Sequence, residues 1–267
     1  MTDESTYLRK LEKIRAESWP KSVPTEIFYP LGERPLTDYL RHWSDIRGDL
    51  PAIIYYGREI SYRELDRLSE GFANVLREIG VCKGDRVAVF LPNCPQFHIA
   101  FFGILKCGAV YVPISPLSRE YELSYQLVDT NPVVLITLDT LMPAVRAVRE
   151  SSSLKVVFTT SLSHMLPGQP ATTLPKAAIA AAVDCPDAQD FLSTVHAAPT
   201  DRHGGADLDS IAAINYTGGT TGTSKGCIHT QRDMVFTGAA YWSVAMQGDD
   251  SMLSLTYFPE FWIAGEN

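Results

Sequence analysis

Gly84-Asp85-Arg86-Val87-Ala88-Val89-Phe90-Leu91-Pro92-Asn93-Cys94-Pro95 is the stretch on which the reading of the fold turns. Gly84-Asp85 is a turn, residues 86–91 form an apolar run of strand length, Pro92-Asn93 breaks it, and Pro95 opens a helix that runs through Lys106. Downstream the same unit repeats: a strand at 108–114 stopped by Pro116, a helix at 118–129, a strand at 132–137, a helix at 141–150 and a strand at 155–160. Upstream, Leu65, Leu68, Phe72, Val75, Leu76 and Ile79 share one helical face, which Gly80 ends. Ser61-Tyr62-Arg63-Glu64 is predicted to start that helix as a capping box, the serine accepting from the helix and the glutamate reaching back. Before it come a short strand at 52–56, a turn at Gly57-Arg58 into a second strand, and a helix at 36–46. Residues 1–35 form a polar arm broken by prolines, with an amphipathic helix near 7–17. Strands alternating with helices at this spacing predict a doubly wound, mostly parallel α/β sheet.

Residues 161–208 change character, with alanine, proline and polar residues dominating, and are expected to be a connector. His164, His196 and His203 sit there without a partner at metal spacing and read as solvated loop histidines. A strand at 210–216 then delivers Tyr216-Thr217-Gly218-Gly219-Thr220-Thr221-Gly222-Thr223-Ser224-Lys225-Gly226-Cys227-Ile228-His229. Residues 226–229 are again extended, so the loop is a strand-to-strand turn; Thr230 caps a helix running to about Met246, and 251–256 is the last strand.

Glycines let a backbone aim consecutive N–H groups inward and come close to a ligand. Hydroxyls and one ammonium group complete an anion cradle, the chemistry a triphosphate requires. The candidate phosphate contacts are Thr217, Gly218, Gly219, Thr220, Thr221, Gly222, Thr223 and Lys225, with Lys225 stabilising charge. The loop is not the G-x-x-x-x-G-K-[ST] pattern, because Ser224 precedes the lysine and Gly226 follows it. Cys227 and His229 are given no catalytic role; strand packing and a solvent-facing position are expected of them.

The chain has 267 residues, 45% hydrophobic and 20% charged, enough to bury a large core. A net charge of −8 leaves no basic field for a general nucleic-acid binder. Five widely spaced cysteines without C-x-x-C point to reduced thiols in a cytoplasmic protein. The charged start Met1-Thr2-Asp3-Glu4 shows no secretory signal, and no apolar run approaches a membrane span.

Together these landmarks resemble the adenylate-forming superfamily of acyl- and aryl-CoA synthetases, luciferases and peptide-synthetase adenylation domains. The loop resembles Y-T-S-G-T-T-G-x-P-K-G, with Gly218 and Ser224 as substitutions. Gly84-Asp85-Arg86-Val87-Ala88 through Leu91-Pro92-Asn93 resembles G-D-x-V-a…L-P-N, and Leu105-Lys106-Cys107-Gly108-Ala109 with Val112-Pro113-Ile114-Ser115-Pro116 resembles L-K-A-G-A-x-x-V-P-l-x-P. The match runs from about residue 36 to the end. It implies two interlocked lobes of the family's large domain and an ATP-dependent, AMP-forming ligation of a fatty or aromatic acid to coenzyme A. Phe258-Pro259-Glu260-Phe261-Trp262-Ile263-Ala264-Gly265 resembles the segment bordering the acyl pocket, which makes Phe261, Trp262 and Gly265 candidate pocket residues. The family's magnesium glutamate, ribose aspartate and mobile C-terminal domain would lie beyond Asn267, so the chain is expected to carry only part of the machinery, with no metal ligand of its own. Two alternatives stand beside this reading: an amino-acid-adenylating domain, and a non-catalytic nucleotide-binding relic. The missing F-D-x-S aspartate weighs against the first.

Overall fold

The computed structural model describes residues 3–21, 23–217, 223–245 and 253–261. Its elements, in chain order, are α1 (Glu4–Ser18), α2 (Leu36–Arg47), β1 (Pro51–Tyr55), β2 (Arg58–Ser61), α3 (Tyr62–Glu78), β3 (Arg86–Phe90), α4 (Pro95–Cys107), β4 (Val110–Pro113), α5 (Glu120–Thr130), β5 (Val134–Leu138), α6 (Met142–Arg149), β6 (Val156–Thr160), β7 (Gln189–Asp190), α7 (Phe191–Ala197), β8 (Ile211–Thr217), β9 (Lys225–Thr230) and α8 (Gln231–Val244). β1 and β2 make a separate hairpin, and the other seven strands form one sheet in the order β7-β6-β5-β3-β4-β8-β9. Every neighbouring pair in that sheet is parallel except β8–β9.

The two-residue period of a strand divides the sheet into two cores. Val87, Val89, Val134, Ile136 and Phe158 face one way and pack with Phe72, Leu76, Ile104 and Phe191 of α3, α4 and α7. Ala88, Phe90, Leu135 and Val157 face the other way, against Leu123 and Leu127 of α5 and Met142 and Val145 of α6. Helices on both faces of a mostly parallel sheet are the doubly wound arrangement read from the sequence. From β3 the chain passes to β4 on one side, then crosses back to β5 on the other. The crevice outside the carboxyl ends of β3 and β5 is therefore a topological switch point, the usual ligand position in such sheets.

Local chemistry explains the boundaries, with some departures from expectation. Ser61 Oγ accepts the Glu64 N–H at 3.1 Å, but Glu64 turns its carboxylate to Arg58 at 3.4 Å instead of closing the capping box. The 161–208 stretch is built into the sheet: β7 pairs with β6, and Phe191 and Val195 of α7 are fully buried. A seven-residue helix carries too few turns for its period to stand out from an alanine-rich background. His164, His196 and His203 are all exposed as expected, but His196 is helical, its Nδ1 2.7 Å from the Leu192 carbonyl oxygen, and the His164 ring lies 3.5 Å from the Ser161 N–H. The predicted strand at 251–256 is not one where it is described: residues 253–256 are exposed and unpaired in the sheet. The predicted end of the preceding helix at Met246 lies outside the described residues, as do Ser251 and Met252. α1 buries none of its residues. Among the described residues no helix is long and apolar enough to cross a membrane.

Candidate phosphate and acid site

β8 and β9 form an antiparallel hairpin whose last pairs are Tyr216↔Gly226 and Thr217↔Lys225, so the glycine- and threonine-rich loop springs from the carboxyl end of β8. Gly218, Gly219, Thr220, Thr221 and Gly222 lie outside the described residues. The base of the loop is described in detail. Tyr125 and Asp129, one turn apart on α5, hold its two ends: the Tyr216 hydroxyl donates to Asp129, and the Tyr125 hydroxyl donates to the Ser224 carbonyl at 2.9 Å. The two tyrosine rings meet edge to face at 6.1 Å. Burial first, and then Asp129, push the Tyr216 hydroxyl well above the ordinary tyrosine range, so it stays protonated as a donor. Neither α5 residue was singled out from the sequence. Their i, i+4 spacing is visible there, but nothing local says that β8 and β9 lie opposite.

Gly226 is required by a close approach: a Cβ on it would stand 2.7 Å from Ile214 Cγ2. The Thr217 hydroxyl reaches the Lys225 carbonyl at 3.5 Å, a weak contact at most, and leaves it free for a better acceptor. Thr223 and Lys225 are exposed, and Lys225 makes no ion pair among the described residues. Cys227 is exposed, while His229 is half-buried with a buried Nε2, the reverse of the positions expected for the two. Past the hairpin, Thr230 Oγ1 accepts the Asp233 N–H at 3.2 Å and the Asp233 carboxylate accepts the Thr230 N–H at 2.8 Å. The sequence reading found the threonine cap but not the reciprocal acid.

A second group of residues stands on the same edge of the sheet. Val87 pairs with Tyr111, and Tyr111 with Ala213; four residues further on, Leu91, Ser115 and Thr217 are level. Neighbouring strands are spaced about 4.8 Å apart, so the end of β3 and the root of the phosphate loop are separated by roughly 10 Å. Against that end of β3 lies the segment 258–261. The Asn93 side chain donates to the Phe258 carbonyl at 2.7 Å and accepts the Glu260 N–H at 2.9 Å. His98 Nε2 on α4 meets Glu260 Oε1 at 3.1 Å. Phe258 is exposed and Phe261 packs partly buried on the core; Trp262 and Gly265 lie outside the described residues.

Residues 40–266 match the family described as AMP-binding enzyme. The chain is 30% identical over 233 residues to a long-chain-fatty-acid–CoA ligase of Salmonella typhimurium, a match covering 84% of this chain and 41% of that protein. It is 33% identical over 224 residues to a long-chain-fatty-acid–CoA ligase of Bacillus subtilis, covering 81% and 40%. The solved structure of acetoacetyl-CoA synthetase from Streptomyces lividans shares the fold, with a TM-score of 0.69 at 20% identity over 87% of this chain and 36% of that one. The chain thus spans about two fifths of the length of the curated relatives it matches. With the family match running over 40–266, from α2 through the β8–β9 hairpin and beyond, this chain belongs to the AMP-binding enzyme family.

Proposed function

We propose that this chain is the nucleotide-holding part of an AMP-forming carboxylate–CoA ligase that acts on a fatty or aromatic acid. The observation that carries the reading is the β8–β9 hairpin, braced from α5 at both ends, with the Lys225 ammonium exposed and unpaired among the described residues. An ammonium beside a threonine hydroxyl and a close-approach glycine fits a phosphate group. In the proposed reaction the acid's carboxylate oxygen attacks the α-phosphorus of ATP. The bond from that phosphorus to the bridging oxygen breaks, and pyrophosphate leaves with the electron pair. The thiolate of coenzyme A then attacks the acyl carbon and releases AMP. Such a displacement needs alignment and neutralisation of charge more than a protein nucleophile. Thr217, Gly218, Gly219, Thr220, Thr221, Gly222 and Thr223 would orient the β- and γ-phosphates, and Lys225 would offset the charge that builds on them. Phe261, Trp262 and Gly265 would border the acid. Magnesium travelling with ATP would share in offsetting the phosphate charge. The unpaired thiols accord with a cytoplasmic setting.

Calorimetry on the chain tests the reading. Lys225→Ala combined with Thr221→Ala is expected to weaken ATP binding by about a hundredfold, the scale of losing a charged and a neutral hydrogen-bond donor to phosphate. Undiminished ATP affinity in the double variant overturns the assignment. Pyrophosphate exchange that required an amino acid, and failed with fatty and aromatic acids, would favour the amino-acid-adenylating alternative.

A further inference from the structure

We infer that Asn93, His98 and Glu260 are a positioning clamp: they fix the segment 258–261 on the carboxyl edge of the sheet and thereby set acid binding without touching the nucleotide. The inference rests on the ligase reading above and names residues it does not use.

The Asn93 amide does for this segment what a neighbouring strand would do. It donates to the carbonyl of Phe258 and accepts from the N–H of Glu260, the groups on either side of Pro259 that one residue of a parallel partner would engage. Residues 253–258 are exposed and unpaired in the sheet, so this side chain supplies the order the backbone lacks there. Glu260 adds a second attachment. Its side chain is 6% exposed, with one oxygen on His98 and the other, Oε2, buried and without a partner among the described residues. A carboxylate in that setting is costly to bury unless a partner meets it, which ties the segment to α4 through His98. The nearby Cys94 gives no competing charge: burial, with a smaller contribution from Glu260, pushes its thiol up to about 12 and keeps it neutral.

Position gives the clamp its consequence. Asn93 follows the end of β3 at the switch point between β3 and β5, and Leu91 is level with Thr217 at the root of the phosphate loop. On the ligase reading the outer phosphates would sit on the loop, and a group held roughly 10 Å from its root would stand beside the α-phosphorus. That is where an attacking carboxylate must stand, and the clamp decides whether the wall beside it is fixed.

Two readouts on the 267-residue chain decide the matter. The first is amide hydrogen exchange at Glu260, expected to speed up in Asn93→Ala; an unchanged rate overturns the clamp itself. The second is calorimetric binding of ATP alone, then of decanoate or benzoate with a non-hydrolysable ATP analogue present. Asn93→Ala and His98→Ala are each expected to weaken acid binding about tenfold, the scale of one hydrogen bond, with ATP affinity unchanged at a temperature where each variant is folded. His98→Gln, which keeps a donor for Glu260, is expected to recover acid binding. Equal losses for acid and ATP, or no loss for acid, overturn the positioning role. Wild-type chain that binds ATP but neither acid overturns this inference and leaves the nucleotide reading intact; wild-type chain that binds no ATP overturns the ligase reading, while the exchange experiment still decides the clamp. If Asn93→Ala does not fold, Asn93→Asp, which keeps the acceptor and loses the donor, carries the same test.

Discussion

Lys106 brings its ammonium group into the interior, 0% exposed, near the end of α4. It donates to the Asp66 carboxylate, to the Asp66 carbonyl at 3.0 Å and to Ser69 Oγ at 2.9 Å, and lies 3.3 Å from Glu70. Arg41 meets Glu70 at 2.8 Å, and Arg202 joins Asp66 at 2.7 Å to Asp45 at 2.8 Å. Burial lowers the Lys106 pKa, and the two carboxylates oppose that by favouring the charged form. Lys106→Met fits the space but leaves the buried carboxylates of Asp66 and Glu70 with the arginines alone. Breaking a buried pair from one side costs about 3 kcal/mol or more, and urea unfolding of the variant is expected to show a loss of that size with an unchanged m-value. A loss near zero would mean that the arginines carry the network by themselves. In the sequence Lys106 was legible as the end of a helix and as part of the motif at 105–109, but not as a buried cation. Its partners lie on α3, 40 residues earlier in the case of Asp66, and no local pattern connects two helix faces that only the sheet brings together.

At the scale of elements, the hairpin and its following helix were legible because their signals are local. Two apolar runs flank the loop, Gly226 marks a close approach, and Thr230 precedes a helix. The brace from α5 was not legible, since it depends on β4 being the neighbour of β8. The cap of α8 bears directly on the hairpin, because Thr230 ends β9 as well as starting the helix. Thr230→Ala removes both the acceptor for the Asp233 N–H and a donor to its carboxylate, and is expected to cost about 1 kcal/mol. For a chain of this size that lowers the melting temperature by roughly 2–4 °C, measurable by circular dichroism. The hydrogen bonds from the Thr230 backbone and side chain hold the Asp233 carboxyl below the usual aspartate range. A carboxyl whose pKa is depressed on folding adds stability above its unfolded value, near 3.9, and loses it as pH falls through the lower folded value. The difference between wild type and Asp233→Asn should therefore be present at neutral pH and shrink as the pH is taken below about 4. A difference that stays constant through that range would show that the reciprocal bond contributes nothing.

For the whole molecule, the α/β class and most element boundaries followed from alternation of strand and helix, because the central strands β3, β4, β5 and β6 bury residues on both faces, most of them against helices. The order of strands did not follow, nor did β7 and α7, since both depend on contacts between distant parts of the chain. Among the described residues an apolar region near α8 is exposed. Phe236, Tyr241 and Val244 of α8 are exposed, and Leu253, Leu255, Tyr257 and Phe258 continue the exposure, with Leu255 at 84%. Leu253 adjoins α8 directly: with Val235, Ala239 and Trp242 it lines a cavity of about 530 Å³ that Tyr39 and Trp43 of α2 close from the other side. Apolar surface of this extent beside an apolar cavity favours association over solvation. The chain is expected to self-associate as its concentration rises into the tens of micromolar, roughly where weak apolar contacts become populated, giving a light-scattering mass above that of the 29.5 kDa chain. Phe236→Glu with Leu255→Glu places two charges in the region and should return the mass to that of one chain. A wild-type chain that stays monomeric through that range would show that these side chains, exposed as they are, do not form a surface that sticks.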